Sequence, residues 1–150
     1  MKEKNSSMIS FKLLTEAAKP DIIPFLKLLN DTIADTVLET RLAEMFAQNY
    51  KCVGVFDGDV LIGLSGLWIL TKYYVGRHIE PDNVIIHPEY RGTGVGELLM
   101  QWIHDYAVAQ GCTASELNCY TSNHAAQKFW ANQGYKLLGF HYQKKLTPNN

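Results

Sequence analysis

The chain has 150 residues, enough for one domain with a real core and too few for two ordinary ones. Its 14 Lys and Arg against 15 Asp and Glu leave a net charge of −1, so no basic field draws in nucleic acid. Three cysteines, Cys52, Cys112 and Cys119, are an odd number without a CxxC pair, which argues against a disulfide framework and a zinc cluster. No bound metal is expected.

The opening MKEKNSSMISFK has no apolar run of the signal-peptide kind, and residues 1–8 are expected to be loose. No apolar stretch reaches the roughly 18 residues of a membrane span. A cytoplasmic location, with no membrane or nucleic-acid partner, is the expectation. ISFKLL reads as a first strand. KPDIIPFLKLLND carries apolar residues at helical spacing, with Pro24 expected in the first turn, where its missing N–H costs little. DTVLETRLAEMFAQN predicts a second helix with Leu38, Leu42, Met45 and Phe46 on one face. KCVGVFDGDVLIGLSGLWIL reads as two strands around Asp57-Gly58-Asp59, and Gly63 and Gly66 suggest a bulge or a close backbone approach.

HIEPDNVIIH predicts another strand, broken or begun near Pro81. Beyond it, Val95, Leu98, Leu99, Trp102, Ile103, Tyr106 and Ala107 repeat at i, i+3, i+4, i+7, i+8, i+11 and i+12, a helix that Gly111 stops. CTASELNCY reads as a strand. SNHAAQKFWANQG predicts a helix capped by Ser122 or Asn123, and YKLLGFHYQKKL a closing strand or hairpin. The whole is one domain over 1–150.

Between strand and helix lies HPEYRGTGVGELL, with Gly92, Gly94 and Gly96 at alternate positions. Unpaired amides and the dipole at a helix start attract anions, and glycines let the backbone curl around one. The loop lacks the G-K-[ST] ending of a nucleotide-hydrolysing P-loop, and its G-x-G-x-G spacing departs from the dinucleotide fingerprint. Taken alone, it could also be a glycine turn that binds nothing.

Two motifs decide among these. Arg91-x-x-Gly94-x-Gly96 resembles the R/Q-x-x-G-x-G/A signature of the GNAT acetyltransferase superfamily, and NHAAQKFWANQGY is similar to its second motif through Asn123, Ala126, Phe129 and Gly134. The resemblance is strong over residues 79–140. It implies an α/β (α+β) fold: a mixed, mostly antiparallel twisted sheet of six to seven strands with about four helices on its faces, in the order β-α-α-β-β-β-α-β-α-β-β. It implies transfer of acetyl from acetyl-CoA to a primary amine by direct attack in a ternary complex. The amine would belong to a small molecule or a peptide, and a homodimer is the assembly suggested. The alternative is a non-catalytic acyl-CoA-binding module.

Carried over, the amides of Gly92, Thr93, Gly94, Val95 and Gly96 would bind the coenzyme A pyrophosphate, with Arg91 on phosphate or bracing the turn. The strand Val84, Ile85 and Ile86 would pair with the pantetheine arm, and the N–H of Ile85 or Ile86 would polarise the thioester carbonyl. The side chains of Val84 and Ile86 are expected in the core. Asn123 would contact pantetheine, cap its helix, or both.

Trp130 stands where the family's second motif often has a tyrosine that protonates the departing thiolate. An indole N–H is a donor but no acid at neutral pH. Trp130 would then wall the cofactor or the core, and Tyr120 is the substitute acid. A general base must take the proton of the attacking amine. Glu80 is the first candidate and Asp82 the second, on one face by the period of two. Asp31 and Asp35 with this pair would make an acidic acceptor pocket, and Trp68, Tyr73 and Tyr74 an aromatic wall.

Overall fold

The computed structural model describes residues 8–148, so all of the expected loose N-terminus except Met8 lies outside the described residues. The chain falls into two compact units that divide between Leu117 and Asn118.

The first unit holds a five-stranded sheet in sequential order, β1 (Ile9–Leu14), β2 (Lys51–Asp57), β3 (Val60–Lys72), β4 (Gly76–Ile86) and β5 (Ala114–Ser115). β1 to β4 are antiparallel neighbours, and β5 joins β4 in parallel. Three helices accompany the sheet: α1 (Lys19–Leu29), α2 (Asp35–Ala47) and α3 (Val95–Ala109). The second unit carries α4 (His124–Asn132).

The expected class is the observed one, with two differences in the strands. CTASELNCY contributes only Ala114–Ser115, and YKLLGFHYQKKL forms no strand. Alternating apolar residues make a strand only where a ladder receives them, and a two-residue β5 supports very little ladder. The sheet therefore has five strands where six to seven were expected.

Pro24 also differs from expectation. α1 starts earlier, after a 3-10 turn, so Pro20 takes the first-turn position and Pro24 lies in the helix interior. There it removes one i→i−4 bond. Burial of Ile22 and Phe25 from the same helix offsets that cost. α1 is tied to the start of α2 by Lys27, whose Nζ donates to Ile33 O at 2.7 Å and pairs with Asp35 Oδ1 at 3.0 Å.

One face of the sheet builds a core with α1 and α2 from Ile22, Phe25, Leu42, Tyr50, Cys52, Leu64 and Ile85, with Met45 and Phe46 packed against it. α3 contributes buried Val95, Leu99, Met100, Ile103 and Ala107, while Leu98 is exposed. Trp102 stacks between Phe11 and Tyr106, with centroids 6.1 and 5.2 Å away.

Gly63 and Gly66 mark a close approach, as their sequence setting suggests. A Cβ on Gly66 would lie 2.5 Å from the Tyr50 ring and 2.7 Å from Asn83 Oδ1. Tyr50 is buried, and its hydroxyl donates to that same Oδ1 at 3.3 Å. Gly66→Ala must displace this pair and should destabilise the fold by about 1–3 kcal/mol. Gly139→Ala, with nothing within 4 Å of the new methyl, is the control and should be nearly neutral. Urea denaturation of the two variants measures the difference. Equal midpoints would show that the Tyr50–Asn83 packing is dispensable.

Candidate active site

The site is built on β4. Arg77 O accepts from Thr113 N–H and Ile79 O from Glu116 N–H, both at 2.9 Å, so odd-numbered residues here turn their backbone groups toward β5. The next bond of that ladder would start from the N–H of residue 81. Pro81 has none, and pairing with β5 stops at Ile79. Beyond Pro81, among the described residues, the strand stays with β3 alone.

A bulge follows. Gly66 pairs with Asp82 and Leu64 with Ile85, so Ser65 on β3 faces both Asn83 and Val84 on β4. Asn83 takes a left-handed φ of 42°, which Asn tolerates better than most residues. After the bulge the strand alternates in the opposite phase. His87 N–H donates to Ile62 O at 2.8 Å, which fixes residues 87 and 85 as those bonded to β3. The backbone groups of Val84 and Ile86 consequently point to the open edge.

Two expectations change here. Ile85 directs its N–H to β3, so of the two candidate donors only Ile86 faces outward, together with Val84. The core side chain is Ile85, which is buried, while Val84 and Ile86 are half-buried.

The glycine loop follows directly. Gly92 and Gly94 have φ of 73° and 85°, a region that penalises any side chain, and Gly94 is the N-cap of α3. The first amides of α3, from Val95 to Glu97, have no partner within the helix. The loop is braced at its entry: Tyr90 OH donates to Asp57 Oδ2 at 2.6 Å, Thr93 Oγ1 donates to Tyr90 O, and Arg91 Nε donates to Ile86 O at 3.4 Å. Arg91 is thus engaged with the turn.

The acidic side chains lie on the α1/α2 face of β3, β4 and β5. Exposed Asp82 accepts from Trp68 Nε1 at 3.3 Å. Half-buried Glu80 pairs with Lys72 Nζ at 3.5 Å and stands 3.8 Å from His78 Nε2. Glu116 lies 3.8 Å from the same Nε2 and accepts from Tyr74 OH at 2.5 Å. That bond is the main cause holding the Tyr74 hydroxyl up at about 12. Tyr73 is fully exposed, with a ring contact to Tyr74. Asp35 is committed to Lys27 and lines a cleft of about 510 Å³ between α1 and α2 with Glu16, Pro20, Ile23 and Glu39. Among its lining residues are neither Glu80 nor Asp82, so the four-carboxylate pocket does not assemble there. His78 and Glu116 join Glu80 only through strand register.

In the second unit, Asn123 is the N-cap of α4, its Oδ1 accepting from Ala126 N–H at 3.1 Å. Trp130 packs edge-on against Phe129 and Tyr135, at 4.9 and 5.5 Å. Tyr120 is exposed, and its carbonyl accepts from Gln127 Nε2 at 3.1 Å.

Residues 17–135 match the sequence model of the Acetyltransferase (GNAT) family. The chain belongs to this family. Thialysine N-epsilon-acetyltransferase of Sus scrofa is 27% identical over 95 residues, 63% of this chain and 53% of that protein, so the match spans about half of the relative. An aminoglycoside N-acetyltransferase solved in complex with CoA superposes with a TM-score of 0.80 at 15% identity, covering 93% of this GNAT chain and 95% of that one. Glucosamine-6-phosphate N-acetyltransferase from Arabidopsis thaliana gives 0.70 at 16%, over 93% and 99%. These two likenesses are of fold. No helix among the described residues is long and apolar enough to cross a membrane.

The cysteines of the GNAT chain are unequal. Burial pushes the Cys52 thiol up to about 12, Cys112 is also buried, and Cys119 is exposed. A thiol reagent at neutral pH should therefore label one cysteine of the native chain quickly, mapped to Cys119, and all three after unfolding. Fast native labelling of Cys52 would contradict its burial.

Proposed function

We propose that the chain is an N-acetyltransferase that moves acetyl from acetyl-CoA to a primary amine by direct attack. The observation that carries this reading is the open edge of β4 beside the glycine loop. Pro81 ends the pairing with β5, the bulge turns the amides of Val84 and Ile86 outward, and α3 begins a few residues on. An amide-bearing arm ending in a pyrophosphate fits such an edge and such a helix start.

Acetyl-CoA, when bound, supplies a thioester whose carbonyl carbon is open to attack. Val84 and Ile86 hold the pantetheine amides, and one of their N–H groups stabilises the developing oxyanion. Gly92, Thr93, Gly94, Val95 and Gly96 hold the pyrophosphate through backbone amides. The amine nitrogen bonds to the acetyl carbon as the C–S bond breaks. Asp82 takes the amine proton, directly or through water. Its position next to the bulge and its exposure make it the first choice, ahead of Glu80, which Lys72 already engages. Tyr120 is the proposed donor to the leaving thiolate. A thiol with an ordinary pKa near 8.5 needs little such help. Asn123 caps α4 and serves the pantetheine from the same position. The acceptor is a small-molecule or peptide amine, the chain acts in the cytoplasm, and its assembly is a homodimer.

The second reading is a CoA-binding module without turnover. Trp130 favours it, because it replaces the family's tyrosine and packs between Phe129 and Tyr135. Both readings require CoA to bind, as calorimetry would detect. Only the first requires thiol release when a panel of amines is offered.

In that assay Asp82→Asn should lower kcat by roughly 10²- to 10⁴-fold and leave the KM for acetyl-CoA near that of the parent. Gly94→Val, strained at φ 85°, should raise that KM. Unchanged turnover in Asp82→Asn would remove Asp82 as the base and return the role to Glu80. Absence of CoA binding would sink both readings.

A further inference from the structure

We propose that His78, Glu80 and Glu116 form a binding site for a divalent first-row transition-metal cation, Zn²⁺ being favoured over Mn²⁺. The site does not depend on the acyl-transfer reading.

The imidazole supplies the decisive observation. His78 Nδ1 lies 3.0 Å from Gly76 O. A carbonyl oxygen only accepts, so Nδ1 donates to it, and Nε2 is the ring nitrogen left to face the carboxylates. The side chain is wholly buried, and Nε2 has no hydrogen-bond partner among the described residues. What faces it are two carboxylate oxygens, Glu80 Oε2 and Glu116 Oε1, each 3.8 Å away. That is beyond hydrogen-bond reach. Three possible ligand atoms thus converge, one from each residue, all within 4.8 Å of one another. A metal cation at that point would give Nε2 the partner it lacks and neutralise the two carboxylates.

The fold builds this arrangement. His78 and Glu80 share a face of β4 by the period of two. Parallel pairing of His78 with Ala114 and of Ile79 with Ser115 brings Glu116 opposite Glu80 on that face. The supports are those a metal site needs. The Nδ1–H bond to Gly76 O fixes the ring and its tautomer, and Tyr74 OH holds the Glu116 carboxylate. Lys72 meets Glu80 through Oε1, leaving Oε2 to the cluster.

One imidazole and two carboxylates, without a thiolate, suit Zn²⁺, Mn²⁺, Co²⁺ or Fe²⁺, and the affinity order among divalent ions favours Zn²⁺ over Mn²⁺. Bonds of about 2.0–2.2 Å place such ligands roughly 3.0–3.5 Å apart, so each glutamate oxygen, now 3.8 Å from Nε2, closes on it by a few tenths of an ångström, and the two glutamate oxygens, within 4.8 Å of each other, close by about 1 Å through side-chain rotation.

The test is calorimetry of the full chain, stripped with a chelator, against ZnCl₂, and against CoCl₂ with its visible absorption followed. One ion per chain should bind, and Glu116→Gln and Glu80→Gln should each weaken it roughly 10- to 100-fold. Thermal melts confirm that each variant is folded. His78→Gln should abolish binding, and if it does not fold the two glutamine variants carry the test. Three results would overturn the site: no saturable uptake, uptake equal in parent and Glu116→Gln, or nitrogen NMR showing His78 doubly protonated at neutral pH and unmoved by Zn²⁺. A thermal shift with ethylammonium but none with Zn²⁺ would likewise replace the metal by an organic amine.

Discussion

A missing amide hydrogen organises this molecule. β4 must remain in the sheet through β3 while leaving β5, and Pro81 enforces the parting because it has no N–H for the next rung. A proline in a central strand would ordinarily break it. Here it is tolerated because its nitrogen faces the side where pairing ends, while the ladder to β3 continues with Leu67 opposite Pro81. The open edge that results turns the N–H groups of Val84 and Ile86 outward, while Ile86 O accepts from Arg91 Nε; such an edge is a liability in an ordinary sheet and can receive an extended, amide-bearing ligand.

The bulge at Asn83 and Val84 completes the device. It shifts the strand's alternation by one residue, so His78, Glu80 and Asp82 before it and Ile85 after it occupy one face. Without the bulge, a face that carries His, Glu and Asp could not also deliver Ile85 to the core formed with α1 and α2. The same shift turns the amides of Val84 and Ile86 outward. Tyr50 and Gly66 hold the bulge in shape, the one by its bond to Asn83 and the other by having no side chain to collide with that pair. Packing of the α2–β2 connection against β3 and β4 thereby sets the direction of backbone donors several residues away.

The sequence was legible where its signals are local. Gly92 and Gly94 announce positive φ, Asn123 announces a cap, and the apolar spacing of α3 announces its length, because each depends on a few adjacent residues. Gly66 signalled a close approach, though not that Tyr50 makes it. What depended on partners was not legible. Pro24 looked like a first-turn proline because nothing in KPDIIP says that a 3-10 turn moves the helix start to Lys19. The closing strand was read from alternation, but alternation describes a willing strand, not an available ladder. His78 escaped notice because its importance lies in Glu116, 38 residues on, which only the parallel register brings near.

That register also separates two kinds of carboxylate along one face. Asp82, at the bulge end, is exposed and, among the described residues, engaged only by the Trp68 indole, so its oxygens keep lone pairs for a proton. Glu80 and Glu116, at the β5 end, are half-buried and share a buried imidazole, with Lys72 and Tyr74 on their outer sides. Carboxylates gathered around a buried ring nitrogen suit a cation that stays, whereas a carboxylate at an open edge suits a proton that comes and goes. Pro81 lies between the two groups, at the residue where the β5 ladder ends. The break that opens the strand edge therefore also divides the acidic face into a closed end and an open one, and chemistry that needs proton exchange with solvent belongs at the open end.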